Sequence, residues 1–329
     1  MRAIQIKQFG GPEQLQLADL ADPAPGAGQV LIGLEAAGVN RADILVRTGK
    51  YHRAGQPPLV LGVEGAGTVL DVGPGVDGFS VGQRVIALGE TNKPGFYAER
   101  AVVPVEQVVA VPDAVELPSA AALPTSWLSA WYCLHSLLQI KPGETVLLHA
   151  AASGVGSAAV RIAVDAGANV IATAGSAEKV NWVTDLGAQH VLDSSAEHGD
   201  RLVNTVQELT DGRGADAVLD VVGGSTFADS LRVIAYGGRV VAMANVALAA
   251  STIDTRDFYP KNGRIYGFQI TALMDHGYDP RPDLTELLAG VAAGRFTVDI
   301  DSTFPLADAA QAHRHVEGRQ NRGKVLLTI

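Results

Sequence analysis

The chain has 329 residues, 47% of them hydrophobic and 18% charged, with a formal net charge of −10. That length and apolar content predict about two domains with buried cores and exclude wholesale disorder. The acidic balance repels nucleic acid phosphates and anionic membranes, so neither is expected as a partner.

Residues 2–9 alternate apolar and polar side chains, as a half-buried strand does. Pro23, Pro25, Gly26 and Gly28 punctuate a turn before a strand over 29–36. Further strands are predicted at 68–72 and 84–88, and the even spacing of strands and turns across the first hundred residues points to a small barrel-like unit. Near Leu117 the pattern changes. Ser119 is placed to cap a helix over 120–123, and a longer apolar helix follows over 126–138. From Glu144 onward strands at 145–149, 169–173, 190–193, 217–221 and 239–242 alternate with helices at 156–166, 177–186, 200–210 and 225–234. This alternation predicts a doubly wound parallel sheet, with its ligand edge at the carboxyl ends of the strands. A strand at 265–270, helices at 284–293 and 307–317 and a strand at 324–329 close the chain, and this last segment is expected to return to the first domain. The opening MRAIQIKQFG lacks a signal-peptide core, and the apolar stretch 145–174 is broken by His149, Arg161 and Asp165. No membrane span is predicted, and a cytoplasmic protein is the expectation. The one cysteine, Cys133, excludes an internal disulfide and a cysteine-rich zinc site.

The strongest chemical signal is the apolar strand VLLHA running into Ser153-Gly154-Val155-Gly156 at the start of a helix. A helix N-terminus offers unpaired N–H groups and partial positive charge, which suit a pyrophosphate. Ala151 and Ser153 stand where the strict dinucleotide fingerprint has glycines, so the spacing also fits a purely structural corner. The next strand ends Thr173-Ala174-Gly175-Ser176, without the carboxylate that usually bonds the ribose hydroxyls of NAD(H). Ser176 and Lys179 are donors for a 2′-phosphate there, which favours NADPH, while Lys179 as a solvated helix charge is the structural alternative.

In these motifs the chain resembles the zinc-independent quinone oxidoreductase (zeta-crystallin-like) branch of the medium-chain dehydrogenase/reductase superfamily. The resemblance rests on FGGPEQLQL, AAGVNRADILVRTGKY, LGVEGAGTVLDVGPGV, GQRV, LHAAASGVGSAAV, ATAGSAEKV, LDVVGG and QAHRHVEGRQNRGKVLL, which together span nearly the whole chain. It implies an α/β fold in which a Rossmann doubly wound parallel sheet is inserted in a GroES-like β-rich catalytic domain. The implied division is 1–118 and 264–329 for the catalytic domain and 119–263 for the Rossmann domain, with NADPH in the interdomain cleft of a homodimer. Zinc members carry a catalytic Cys and a GHE motif, where this chain has Asn40 and Gly62-Val63-Glu64; Asn40 and Val63 are not zinc ligands. The resemblance further implies cofactor contacts from Tyr51, Ser129, Ser153, Gly154, Val155, Gly156, Gly175 and Lys179. It adds Asn245 and Val246, Tyr266, Gly267 and Phe268, and Arg322 in the closing loop. At Ser194 many relatives have a Tyr or His that stacks near the adenosine, and a serine does not.

The expected chemistry is hydride transfer from NADPH to a quinone, with no metal to polarise the acceptor. Asn40 is a candidate donor to a developing oxyanion or a loop-stabilising amide, and Tyr51 a candidate for orienting substrate or relaying a proton. Asp43 reads first as a structural partner of Arg41 or Arg47. His313 and His315, two apart on a helix, do not face one ligand. The competing readings are an NADPH-dependent reductase of α,β-unsaturated carbonyls, which the loops 87–95 and 246–259 would decide, and a non-catalytic NADPH-binding protein.

Overall fold

The structure is a computed structural model that describes every residue except Thr91, Asn92 and Pro94, so part of the expected loop 87–95 lies outside the described residues. The chain forms two compact units, one of residues 1–128 and 274–329, the other of residues 129–273. In chain order the elements up to the first seam are β1 (Arg2–Ile6), β2 (Gln16–Asp19), β3 (Gln29–Val39), α1 (Arg41–Arg47), β4 (Leu59–Val60), β5 (Glu64–Val72), β6 (Arg84–Leu88), β7 (Arg100–Pro104), β8 (Val108–Ala110), α2 (Leu117–Ala121) and α3 (Leu128–Trp131). Next come β9 (Thr145–Leu148), α4 (Gly154–Asp165), β10 (Asn169–Ala174), α5 (Ala177–Asp185), β11 (His190–Asp193), α6 (Asp200–Leu209), β12 (Ala215–Asp220), α7 (Ser225–Arg232), β13 (Ile234–Ala242), β14 (Arg264–Gly267) and α8 (Ile270–Asp275). The chain closes with α9 (Arg281–Ala292), β15 (Ile300–Pro305), α10 (Ala309–Glu317) and β16 (Lys324–Thr328).

In the first unit a seven-stranded sheet runs β15-β16-β3-β5-β6-β8, with β7 also on β3, beside a small sheet β2-β1-β4. The C-terminal strand β16 lies antiparallel on β3, Val325 opposite Val39 and Thr328 opposite Ala36. Alternate residues of β3 and its neighbours, among them Val30, Ile32, Val69, Val85, Val103 and Leu327, fill one core. Gly67 is required by close packing, because a Cβ there would meet the Gly33 carbonyl oxygen at 2.0 Å.

The second unit is a parallel sheet in the order β11-β10-β9-β12-β13-β14. In sequence terms that is the 3-2-1-4-5-6 order of a dinucleotide-binding fold. Leu147, Ile171, Val218 and Val240 of its strands pack with Leu202, Val206 and Leu231 of α6 and α7. Parallel strands are buried on both faces, which is why they read as apolar runs.

Three local expectations change. The first hundred residues also contain α1, so they are not strands and turns alone. Glu116, not Ser119, precedes α2, and Pro118 occupies its first turn, where the missing N–H has no cost. The helix predicted over 126–138 is interrupted: wider π-type turns at Leu123–Trp127 and Tyr132–Leu137 flank α3. Pro124 lies in the first of these and cannot donate to a regular helical ladder. The two compact units divide after Leu128 and after Leu273, and β14 belongs to the parallel sheet.

Candidate active site

In the parallel-sheet unit, β9 ends at Leu148 and the chain turns through His149 to Ser153 into α4. Ala150 sits at φ 51°, a left-handed conformation unusual for alanine, of the kind that collects at functional turns. The Ser153 Oγ caps α4 by accepting from the Gly156 N–H at 3.0 Å. The N–H groups of Gly154 and Val155, both half-exposed, have no hydrogen bond among the described residues. They form a donor pair at a positive helix end, which suits a phosphate. Gly156 serves packing instead. A Cβ there would meet the Ala150 carbonyl oxygen at 2.3 Å, so its bareness lets α4 press against the turn.

Gly175, Ser176 and Ser194 cluster at the carboxyl ends of β10 and β11. The Ser194 hydroxyl donates to Ala174 O at 3.2 Å and lies 3.9 Å from where a Gly175 Cβ would stand. Ser176 caps α5, its Oγ accepting from the Lys179 N–H at 3.3 Å. Both serines and Gly175 are exposed and Lys179 is half-buried, so this end is open to a polar ligand. The nearby carboxylate, Asp193 on β11, is turned to its own strand end by Ser195, whose N–H and hydroxyl it accepts at 2.9 and 2.7 Å.

Asn245 follows β13 and closes its own loop, with Nδ2 donating to Ala249 O at 2.7 Å. Val246 is next to it, half-buried. Tyr266 and Gly267 end β14, and Phe268 N–H donates to Ala242 O at 3.0 Å while its ring lies 5.7 Å from that of Tyr132. Because the strands are parallel, the ends carrying residues 153–156, 175–176, 194, 245–246 and 266–268 share one edge of the sheet. Of the other predicted residues of this unit, Lys179 lies in the first turn of α5 and Ser129 is buried in α3, away from the strand ends.

In the other unit, Asn40 precedes α1, and its backbone N–H donates to Asp43 Oδ2 at 2.8 Å. Its amide is engaged inward: Nδ2 donates to Glu64 Oε1 at 2.7 Å, and Oδ1 accepts from Lys324 Nζ at 2.6 Å. That geometry matches a framework amide, not a free oxyanion donor. Tyr51 is half-buried against the core, with its N–H on Leu45 O at 3.1 Å. Arg322 N–H donates to Asp301 Oδ1 at 2.9 Å in the loop that leads to β16.

Asp43 has neither Arg41 nor Arg47 as partner. It stands in the first turn of α1 and accepts from Asn40 and from the Tyr97 hydroxyl at 3.1 Å. Arg41 donates to Val316 O at 3.1 Å, and Arg47, at the far end of α1, pairs with Glu317 at 2.6 Å. Arg47 also donates to His313 Nδ1 at 3.1 Å, and His313 Nε2 is 3.1 Å from the Tyr97 hydroxyl. A guanidinium cannot accept, so Nδ1 holds the lone pair and Nε2 carries the proton. The chain of donors runs Arg47, His313, Tyr97, Asp43. Burial raises the Asp43 carboxyl to about 7, and burial together with the Arg47 charge lowers His313 to about 3. Sequence reasoning missed Tyr97, Glu64 and Lys324, whose partners are remote in sequence. It also missed three buried polar atoms without a partner among the described residues, Thr125 Oγ1, His149 Nε2 and Arg239 Nε. Among those residues no group of three or more His, Cys, Asp or Glu side chains is placed to hold a metal ion, and no helix is long and apolar enough to cross a membrane.

Comparison with known proteins agrees with this architecture. Residues 26–113 match the alcohol dehydrogenase GroES-like domain, and residues 154–289 match the family described as zinc-binding dehydrogenase. The chain is 34% identical to a 2-haloacrylate reductase from Burkholderia sp, over 99% of this chain and 98% of that protein. It is 32% identical to the quinone oxidoreductase of Mus musculus, over 100% and 98% respectively. The solved structure of Escherichia coli quinone oxidoreductase complexed with NADPH superposes with a TM-score of 0.91 at 30% identity, covering 100% of both chains. A GroES-like unit, a parallel sheet in dinucleotide-binding order and end-to-end similarity to these proteins place the chain in the quinone oxidoreductase branch of the medium-chain dehydrogenase/reductase superfamily.

Proposed function

We propose that this protein is an NADPH-dependent, zinc-free oxidoreductase that reduces quinones by hydride transfer. The observation that carries the reading is the pair of accessible N–H donors at the start of α4, on the carboxyl edge of a sheet whose second strand ends without a carboxylate. The residues fit NADPH. Gly154 and Val155 would bind its pyrophosphate, and Ser176 and Lys179 its 2′-phosphate. Gly175 and Ser194 would flank the adenosine, while Asn245, Val246, Tyr266, Gly267, Phe268, Ser129, Tyr51 and Arg322 would hold the remainder. Bound NADPH would supply the hydride. The protein's part is to hold donor and acceptor together and to exclude water. Tyr51 would orient the acceptor or pass it a proton, and Asn40 would hold the loop before α1. The residues do not fit a catalytic zinc: Asn40 and Val63 stand where zinc relatives have Cys and His, and the Lys324 ammonium already occupies the Asn40 and Glu64 oxygens.

A second reading, reduction of an α,β-unsaturated carbonyl, is favoured by the similarity to a 2-haloacrylate reductase, since that substrate is itself a conjugated acid. A homodimer belongs to the same proposal, with β14 as the last strand of its sheet. The test is NADPH oxidation with 1,4-benzoquinone, 9,10-phenanthrenequinone, a 2-alkenal and a 2-haloacrylate. Turnover of the quinones supports the first reading, and turnover of the alkenal or haloacrylate alone supports the second. Tight NADPH binding with no turnover would leave a non-catalytic binding protein.

A further inference from the structure

Lys324 opens β16, and its side chain is 4% exposed beside Glu64 at 0%. Its ammonium donates to Asn40 Oδ1 at 2.6 Å, to Ser126 Oγ at 3.1 Å and to Glu64 Oε1. Three N–H donors meet three oxygens, so the charge is fully hydrogen-bonded. Glu64 accepts in turn from Asn40 Nδ2 at 2.7 Å and, through Oε2, from the Thr125 N–H at 2.7 Å. One ion pair thus gathers the end of β3, the start of β5, the turn Leu123–Trp127 and the start of β16. The backbone makes room for it: a Cβ on Gly38 would stand 2.2 Å from Glu64 Oε1.

A buried ion pair is a poor device for stability alone, because apolar residues of similar volume do as well or better. It does fix an arrangement. Here the arrangement is the Asn40 amide, from which α1 begins and the chain passes to Tyr51.

We propose that Lys324 is a positioning residue for the reaction proposed above, its ammonium serving as the fixed cation that organises the Asn40 and Glu64 segment where zinc relatives use a metal. This rests on the oxidoreductase reading. The ammonium touches no substrate; it acts by holding Asn40 and the entry to α1.

The test compares wild type with Lys324→Met/Glu64→Gln, which removes both charges of the pair together, so that neither partner is left as an unpaired buried charge. NADPH affinity is read by cofactor fluorescence, turnover by oxidation of NADPH with 1,4-benzoquinone, and local order by amide exchange. NADPH affinity should stay within about threefold, since the phosphate donors of α4 are elsewhere, while kcat falls about thirtyfold, as sub-ångström misplacement of reacting groups does. Exchange at the amides of residues 43–48 should rise about tenfold. In Lys324→Ala, added ethylammonium should recover about a tenfold gain in kcat, and tetramethylammonium none, because it has no N–H to donate. A folded double variant with kcat within about threefold of wild type would overturn the proposal. So would loss of NADPH binding in step with kcat, which marks general collapse. If wild type itself turns over no acceptor, the oxidoreductase reading fails separately; unchanged exchange at residues 43–48 would then still overturn the positioning role.

Discussion

Gly156 works by having no side chain. The atoms a methyl group would meet, Ala150 O at 2.3 Å and Ala151 Cα at 2.6 Å, are backbone and cannot swing aside. Gly156→Ala should therefore cost about 1–3 kcal/mol in a urea titration, the range for overpacking a rigid site. It should also weaken NADPH binding, because the helix end that offers the Gly154 and Val155 donors must shift. Lys179 is tested by contrast between cofactors. Lys179→Ala should raise the Kd for NADPH about tenfold and leave that for NADH nearly unchanged, because one charge-assisted phosphate bond is lost. Equal weakening of both would make Lys179 a helix charge and remove the argument for the 2′-phosphate. The turn at 153–156 was legible in the sequence because close backbone approach leaves glycine as the permitted residue. Lys324 was not, because its partner Glu64 lies 260 residues away and nothing local marks the pairing.

At the scale of elements, α1 shows why short helices carrying a site escape pattern reading. It has seven residues, and two of its charged side chains, Asp43 and Arg47, face inward instead of toward solvent. Charged side chains thus share the buried positions with Ile44 and Val46, which blurs the amphipathic signature. The same burial gives a pH signature. Burial raises Asp43 from 3.8 to about 7. Its folded value lies above the unfolded one, so the stability it contributes is present below pH 3.8 and is lost as pH rises through about 7. His313 is lowered from 6.5 to about 3 by burial and by Arg47. Its contribution is present above pH 6.5 and is lost as pH falls through about 3. The two slopes oppose each other across the interval they share. Wild type should show little net dependence from this network there. His313→Gln should unmask falling stability toward neutral pH, with a slope of up to about 1.4 kcal/mol per pH unit, and Asp43→Asn should unmask the reverse. Urea midpoints at a series of pH values read both signs. Parallel curves for all three proteins would mean that neither group titrates as its surroundings dictate.

At the scale of the whole molecule, the parallel-sheet unit was the more legible, and the reason is physical. Its strands are buried on both faces and separated by helices of two to three turns, so period and length both report the topology. In the other unit β16 pairs with β3 from the opposite end of the chain, and no periodicity encodes which distant strand is the partner. The two units also set how ligand binding is read in a melt. A chain with two compact units need not unfold in one step, so a single unfolding free energy is not assumed. Binding to the folded state alone stabilises by mass action, about 2.7 kcal/mol at a hundredfold excess over Kd. The proposed phosphate donors lie on α4 and α5 of the parallel-sheet unit. NADPH should therefore raise the transition that unfolds residues 129–273 by several degrees, and NADH at equal concentration should raise it less. In Lys179→Ala the gap between the two cofactors should close while the NADH shift persists. A gap that survives this substitution would place discrimination elsewhere, with Ser176 as the next residue to change.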